Sequence, residues 1–454
     1  DGDARVAEQA ISFRRGIEPT PCASGSDGAS HAGGASANGS GSDCRSGNVC
    51  RSGGASHAGS LGAALLEALK ANIGFILRSI VRDERAPMHG GAHLFYDYDA
   101  RTFRQKNWLW TYGPSMRTLL VGMKVPEIAR AFGAEEMLAA AAGMGEICLR
   151  NLETNPAKPF RGLMLCRYEM TPVNSRLGYE LKYSPADGLF QAGWGMIPLY
   201  RQTGDPRYLR FCSDMADATG ELLERDVVVQ QDYYAVTGSW KTNTMNESGF
   251  GMEGLAELYR ETGDKRYRDI GKKYIDQLIG CLETDEGVWA RNYFRHSRRV
   301  QPPDYATRGM GWAMMGVSSA ARMRLGEPYL RKSVAMAEHV MKHQLGNGGW
   351  RYVYNSGSDQ LGMSEKGTAV WAAMLFRLCR LTGAQRYRDA AGRAVKWLMG
   401  AQYLGPDREG HGGVPIIGPQ SGIVYRPYYK MACQYTAGFF GLALLESLGA
   451  PTEE

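Results

Sequence analysis

The sequence has no run of about 18 apolar residues, so no stretch of it reads as a membrane-spanning helix. It also lacks the short motifs of nucleotide and metal chemistry. There is no P-loop, no dinucleotide fingerprint at a strand–helix junction and no His-Glu-x-x-His. No Gly-x-Ser-x-Gly elbow offers a serine nucleophile. His89 and His93 lie four apart, but Gly90-Gly91 between them argues against a helical ligand pair. No cofactor and no metal are expected. Charge of one sign is scarce too: the net charge is +6 over 454 residues. A nucleic-acid partner calls for a concentrated basic face, and none is visible. A mildly basic cleft would suit an anionic ligand.

What the sequence does have is a repeated phrase. Thr203–Tyr208 reads T-G-D-P-R-Y and Thr262–Tyr267 reads T-G-D-K-R-Y. Looser copies stand at Leu325–Tyr329 and Thr382–Tyr387. A Gly- and aromatic-rich apolar segment precedes each copy, and an amphipathic one follows. A fixed period marks a supersecondary unit that cannot bury its apolar face alone. Here the unit is a helical hairpin. Gly204 and Gly263 are placed to end one helix in the left-handed conformation. Asp205 and Asp264 are placed to cap the next.

Apolar periodicity places twelve helices near residues 62–84, 113–124, 133–151, 188–203, 206–224, 248–262, 265–283, 308–324, 327–344, 366–382, 385–401 and 432–448. The even-numbered ones are poor in charge and rich in Gly, Ala, Met and aromatics, as in Gly193-Trp194-Gly195-Met196. They read as an inner, buried layer. The odd-numbered ones carry charge on one face and read as an outer layer. Strand signals are weak and confined to loops. The fold class is therefore all-α, a closed (α/α)6 toroid of six hairpins. An open solenoid would have short loops on both sides. Here the outer-to-inner loops are long, roughly 20 to 35 residues, and would wall a cleft over the N-termini of the inner helices.

Residues 1–60 form a separate Gly/Ser/Ala-rich stretch with G-A-S-H-A-G at Gly28–Gly33 and Gly54–Gly59. Such composition reads as a flexible arm, with the toroid domain occupying 61–454. Cys22, Cys44 and Cys50 in the arm show no zinc spacing with His31 and His57, though a disulfide could form in an exported chain. The arm could tether copies of the chain to one another. The remaining cysteines, among them Cys148, Cys212, Cys281 and Cys379, fall in helix patterns and read as buried thiols. No signal peptide is visible. The compartment stays open, with an extracellular or periplasmic one favoured over the cytoplasm.

The long loops mix aromatic rings with charged and amide groups. The first carries Met88–Asp99 and Lys106-Asn107-Trp108. The third carries Asp232, Tyr233 and Trp240. The fourth carries Arg295, His296, Arg298, Arg299, Asp304, Tyr305 and Arg308, with Trp312 just beyond. The fifth carries Trp350, Tyr352 and Tyr354, and the sixth His411, Tyr425, Arg426, Tyr428 and Tyr429. Sugar rings stack their C–H faces on aromatics and bond their hydroxyls to planar polar groups. Trp108, Trp240, Arg295, Arg308, Trp312, Tyr352 and His411 are the candidate sugar-binding residues. The competing reading is that these rings only pack long loops onto the barrel. Two carboxylates open inner helices: Asp187 in Ser184–Phe190 and Glu247 in Asn246–Gly251. A shared mouth would make them an acid and a base or nucleophile, although Asp at a helix start is also a common cap. Glu365 and Asp304 are further candidates.

These residues resemble a family. Over roughly residues 62–448 the chain is similar to the six-hairpin glycosidase superfamily. Asp187-Gly188-Leu189-Phe190 resembles the Asp-Gly-Leu-Tyr/Phe segment of unsaturated uronyl and rhamnogalacturonyl hydrolases, whose Asp is the catalytic acid/base. The resemblance implies that role for Asp187. Arg308-Gly309-Met310-Gly311-Trp312 resembles their substrate-lining Arg-Gly-Asn-Gly-Trp, with one extra hairpin between the two segments here. The stretch from Gly90-Gly91 through Asp97 and Asp99 to Lys106, Trp108 and Gly113 is similar to the first loop of N-acylglucosamine 2-epimerase toroids. The His residues those enzymes place before later inner helices are missing before Gly309 and Thr436. Polysaccharide lyases use such toroids as well, and Tyr233, Arg295, His296 and His411 could serve one. The expectation is acid/base hydrolysis of an acidic, uronic-acid-containing oligo- or polysaccharide. Lyase or epimerase action and a non-catalytic structural toroid are the alternatives.

Overall fold

The computed structural model describes residues 53–454 apart from 105, 170–181, 226–231, 236, 242, 302–306, 354–361, 417–430 and 454. The side chains of residues 53–60, 106–107, 167–169 and 307–308 also lie outside it. So do Cys22, Cys44 and Cys50, with the tethering role expected of the arm. Gly54–Glu454 forms one compact unit.

The chain runs α1 (Gly53–Arg78), α2 (Tyr112–Gly122), α3 (Pro126–Phe132), α4 (Ala134–Arg150), α5 (Pro185–Gln191) and α6 (Ile197–Thr203). It continues α7 (Pro206–Arg225), α8 (Met252–Thr262), α9 (Lys265–Leu282), α10 (Thr307–Arg322) and α11 (Glu327–Met341). It ends α12 (Glu365–Thr382), α13 (Gln385–Ala401) and α14 (Gln434–Ser447). A π-helical turn, Ala192–Met196, joins α5 to α6 in one inner helix, and a 3-10 segment, Asn246–Gly251, leads into α8. The first helix starts at Gly53, well before the expected residue 62. Adding turns to a helix already anchored by packing is easy, because each fixes one residue per hydrogen bond.

The repeated phrase works as its residues demand. Gly204, Gly263 and Gly383 take φ of 72°, 68° and 71°. The hydroxyls of Thr203, Thr262 and Thr382 each donate to the carbonyl four residues back, and each accepts from the amide two residues on. Asp205 and Asp264 accept from the amides of Arg207 and Arg266 at 2.9 Å. Tyr208, Tyr267 and Tyr387 are buried at the joint, with the preceding Arg over each ring. The Leu325–Tyr329 copy departs from this. There Arg324 takes the left-handed turn at φ 54°, and Gly326 stands at the start of α11 with φ 145°.

Six inner helices pack in a ring: α2, α5–α6, α8, α10, α12, α14 and back to α2. Closure rests on the α14–α2 seam. Ser115 Oγ donates to the Gln434 carbonyl at 3.1 Å, and Thr118 Oγ1 to that of Gly438 at 2.8 Å. The open solenoid is thereby excluded. Glycine sets the close approaches. A Cβ at Gly254 would lie 2.3 Å from the Leu189 carbonyl oxygen, and one at Gly193 would lie 2.4 Å from the Glu253 carbonyl carbon. Gly254→Ala should therefore force α5 and α8 apart, at about 2 kcal/mol as for overpacking in a dense core. A lowered midpoint in urea unfolding is the readout.

The inner helices are less free of charge than their composition suggests. At the tight-turn end of the barrel Glu253, Glu257 and Glu453 are almost fully buried. Arg377 reaches both Glu253 and Glu453, at 2.9 Å in each case. Glu257 accepts from Arg201 and Arg260 at 2.8 Å and pairs with Arg322. Arg117 donates to the Gly193 carbonyl at 2.7 Å and lies over Trp194.

Strands are short and confined to the loop end, as their weak signals suggest. Among the described residues they are β1 (Phe95–Asp97), β2 (Thr102–Arg104), β3 (Lys106–Trp108), β4 (Arg167–Glu169), β5 (Lys182–Tyr183), β6 (Tyr233–Tyr234), β7 (Ser239–Trp240), β8 (Asn243–Met245), β9 (Asn292–Phe294), β10 (Arg299–Gln301) and β11 (Met431–Cys433). β11 pairs with β1, so the last loop is tied to the first across the seam.

Candidate active site

Each inner helix brings one large side chain of its first turns to the barrel axis at the loop end. Trp110 comes from the turn before α2, Phe190 from α5, Phe250 from the 3-10 segment, Trp312 from α10 and Tyr435 from α14. The Trp110 ring centroid lies 6.2 Å from Phe190, 5.9 Å from Phe250, 6.2 Å from Trp312 and 5.4 Å from Tyr435. Trp312 Nε1 donates to the Tyr435 hydroxyl at 2.6 Å. The remaining inner helix, α12, supplies a lysine instead. Lys366 Nζ stands 4.4 Å from the Tyr435 ring centre, 5.7 Å from Trp110 and 5.8 Å from Trp312. Lys366 is only 5% exposed, so its charge is fixed against the aromatic floor rather than dissolved in water.

Asp187 lies beside this floor in the first turn of α5. Its backbone N–H donates to the Ser184 hydroxyl at 3.3 Å, so Ser184 is the cap and the Asp187 carboxylate is left for other work. That carboxylate meets Lys182 Nζ at 3.0 Å, and the same ammonium donates to Asp232 Oδ1 at 2.9 Å. All three side chains are buried. Around them burial pushes the Cys166 thiol and the Tyr274 hydroxyl up, and the Asp187 charge adds to both shifts. Cys166 is thus held as a thiol and offers no nucleophile.

Glu247 occupies the 3-10 segment that packs on α5. A Cβ at Gly251 would fall 3.1 Å from Ala186 Cα, so the two first turns touch. Glu247 is half-buried, whereas Asp187 is buried. On the other flank Gly309 adjoins Asn246, where a Cβ would meet the Asn246 amide at 3.1 Å. Glu365 is buried at the head of α12, with Ser364 capping through the Gly367 amide at 3.0 Å.

The other expected residues scatter. Trp108 is half-buried and stacks on Trp110 at 6.1 Å. Trp240 is half-buried and meets Tyr233 edge-on at 5.2 Å, in the small sheet β5-β6-β7. Tyr352 is buried in the fifth loop and Arg295 half-buried in the fourth. The His411 ring shares a hydrogen bond with the Gly405 carbonyl of its own loop at 3.2 Å, and that loop is held to α1 through Gln402 and the Ala68 carbonyl. Arg308 has its backbone in α10, but its side chain lies outside the described residues, as do Asp304, Tyr305, Tyr354, Tyr425, Arg426, Tyr428 and Tyr429. Among the described residues no cluster of three or more His, Cys, Asp or Glu could hold a metal ion.

Lys182 and Lys366 escaped the sequence reading, which named Asp232 only as one polar group of the third loop. A signal for Lys366 exists in the aromatic that follows each inner-helix start: Phe190 three after Asp187, Phe250 three after Glu247 and Trp312 three after Gly309. Three after Glu365 stands Thr368, so α12 lacks the ring, and Lys366 two residues earlier supplies a charge instead. Nothing local marks Lys182, because the carboxylate it shares with Asp187, that of Asp232, comes from a different loop.

No protein-family model matches the chain, and no curated protein matches it in sequence. Solved structures do match in fold. The unsaturated glucuronyl hydrolase of Bacillus sp. GL1, described as responsible for glycosaminoglycan degradation, aligns at TM-score 0.63 and 14% identity over 84% of this chain and 96% of that one. An unsaturated glucuronyl hydrolase specific for heparin aligns at 0.65 and 15% over 86% and 100%. A polysaccharide lyase aligns at 0.54 and 16% over 76% and 91%. The six-hairpin arrangement derived above is therefore the helical toroid that unsaturated glucuronyl hydrolases also have.

Proposed function

We propose that the chain is a glycoside hydrolase acting on an acidic, uronic-acid-containing oligosaccharide. The observation that carries this is Lys366, a buried positive charge set among the axial aromatic rings, at the same loop end as two carboxylates on adjoining turns. An aromatic floor suits sugar C–H faces, and one fixed ammonium suits a carboxylate substituent. Trp110 Nε1 and Gln434 Nε2, buried donors without a hydrogen-bond partner among the described residues, suit a ligand rich in hydroxyls. Several toroids of the same fold are glucuronyl hydrolases by description, which supports the choice of chemistry.

The carboxylates divide the work by their surroundings. A carboxylate held 3.0 Å from an ammonium is a poor proton donor, so Asp187 suits the anionic role: base toward water, or support for positive charge at the reacting carbon. The donor role falls to the half-buried Glu247. Cleavage then adds water across the bond. Glu247 protonates the leaving oxygen, Asp187 takes a proton from water, and the water oxygen bonds to the sugar carbon.

The test is turnover of uronic-acid oligosaccharides, with a neutral oligosaccharide of the same length as control. New reducing ends without new ultraviolet absorbance support hydrolysis. Rising absorbance from an unsaturated product would establish lyase action, the reading that the lyase of the same fold favours. No cleavage of any acidic glycan would remove the proposal and leave a structural toroid. Lys366→Met should weaken binding of the acidic ligand by about 2 kcal/mol, as for a charged hydrogen bond, and leave the neutral one unchanged. Calorimetry on both ligands separates charge recognition from a general loss of fold.

A further inference from the structure

Asp187 is held by a lysine that it does not have to itself. Lys182 sits on β5, which pairs with β6 in register Lys182↔Tyr234 and Tyr183↔Tyr233. β6 pairs in turn with β7. Phe160 stacks on Tyr183 at 4.2 Å and lies 4.7 Å from Tyr233, which clamps the strand pair from outside. The Cys166 amide donates to the Lys182 carbonyl at 2.8 Å, and the Lys241 amide to the Asp232 carbonyl at 2.8 Å. The main chain of Lys182 is thus tied to the second and third loops, and its ammonium is placed by the two carboxylates it meets. It stands 3.0 Å from Asp187 and 2.9 Å from Asp232, with Lys241 Nζ 4.0 Å from the other Asp232 oxygen.

Two opposed requirements meet here. A base toward water must be ionised, which an adjacent ammonium favours. It must also keep some affinity for a proton, which the same ammonium removes. Two carboxylates sharing one lysine satisfy both, because the Asp232 charge offsets part of the ammonium's field at Asp187. Among the described residues, the charged and titratable groups placed against Asp187 or its partners are Lys182 on β5, Asp232 and Lys241 on the third loop, Cys166 on the second loop and Tyr274 on α9, with Glu247 on the 3-10 segment that packs on α5. Cys166 and Tyr274 stay neutral through burial, and Lys182, shared with Asp232, is the charge set directly against the Asp187 carboxylate.

We propose that Lys182 is a positioning residue that fixes the Asp187 carboxylate, and that Asp232, by sharing this lysine, sets how readily Asp187 takes a proton. This rests on the hydrolase reading for its consequence in turnover, but the coupling itself can be measured without it. In the full chain, Lys182→Met leaves Asp187 buried beside a like charge. The acid limb of the pH profile of kcat/KM on a uronyl disaccharide should then move up by about one pH unit, with about a tenfold loss of rate on that limb and little change at neutral pH. Asp232→Asn leaves the ammonium's field undivided on Asp187, and the same limb should move down. Lys182→Arg should restore part of the loss. Opposite movements are what a merely structural role would not produce. Limbs that stay in place for both Lys182→Met and Asp232→Asn, in folded and active protein, overturn the proposal. Should Lys182→Met fail to fold, Asp232→Asn and Lys182→Arg carry the test. If wild-type chain cleaves no uronyl substrate, carbon NMR titration of aspartate-labelled protein decides instead, with Asp187→Asn as assignment control. A higher Asp187 midpoint in Lys182→Met supports the coupling even then, and an unchanged one ends it.

Discussion

Glu247→Gln is expected to lower kcat on a uronyl disaccharide by about a thousandfold while KM changes little, the range found for loss of a general acid. The amide keeps the size and hydrogen-bonding reach of the carboxyl, so the 3-10 segment and its packing on α5 should survive. What it cannot do is deliver a proton to the leaving oxygen. A substrate with a far better leaving group, such as a nitrophenyl uronide, needs that proton less and should lose much less rate. Steady-state kinetics on both substrates checks the assignment. Equal losses on the two would mean that Glu247 acts in binding or folding. Normal rates for Glu247→Gln combined with a dead Asp187→Asn would return the acid role to Asp187, despite its lysine.

Arg377→Leu should be among the most destabilising substitutions in the chain, at about 3–5 kcal/mol, because it strands buried carboxylates. The guanidinium is 1% exposed and serves Glu253 and Glu453, themselves 1% and 5% exposed. Denaturant unfolding measures the loss, and a loss below about 1 kcal/mol, the value of a surface pair, would show that water reaches the cluster. Acid should reproduce part of the effect. Burial pushes the Glu257 carboxyl up, but the guanidiniums of Arg322, Arg117, Arg260 and Arg201 outweigh it and hold it at about 2 against 4.5 for the free group. A carboxyl depressed in the folded state stabilises above its unfolded value, and that stability is lost as pH falls. The loss should therefore run from about pH 4.5 down to about 2. It amounts to roughly 3 kcal/mol for that separation.

Much of the architecture is legible in the sequence because its determinants are local. The T-G-D turns carry their own stop, hydroxyl bridge and cap within four residues, so they announce both a helix end and the next start. Twelve periodic segments with long loops on alternate connections then leave few ways to arrange themselves, and the ring follows. The third repeat shows the limit. Leu325-Gly326-Glu327 places its glycine two residues beyond the left-handed position, which Arg324 takes instead. The site is less legible for a related reason. Asp187 and Glu247 declare themselves by opening inner helices, but the groups that decide what they can do come from elsewhere. Lys182 meets Asp187 from a strand and meets Asp232 across a gap of 50 residues. Arg377 and Glu253 are 124 apart. A charge inside a helix pattern looks like a solvated face until the ring closes around it, which is why the inner layer reads as poorer in charge than it is.

The lysine among the axial rings has one more consequence. Six nearly equivalent hairpins build a mouth with an approximate sixfold view down its axis, and five aromatic side chains alone would give a flat sugar no preferred bearing. Lys366 breaks that equivalence at one of the six stations. On the proposed hydrolase reading, a ligand with one acidic substituent would be turned to a single azimuth, and its scissile bond carried to a chosen side of the ring. Asp187 and Glu247 lie on the second and third inner helices and Lys366 on the fifth, so the proposed anchoring charge and the proposed reacting pair come from opposite parts of the ring. Exchanging Lys366 with the aromatic of another hairpin would leave the wall and floor in place. It would rotate where on the sugar the chemistry falls.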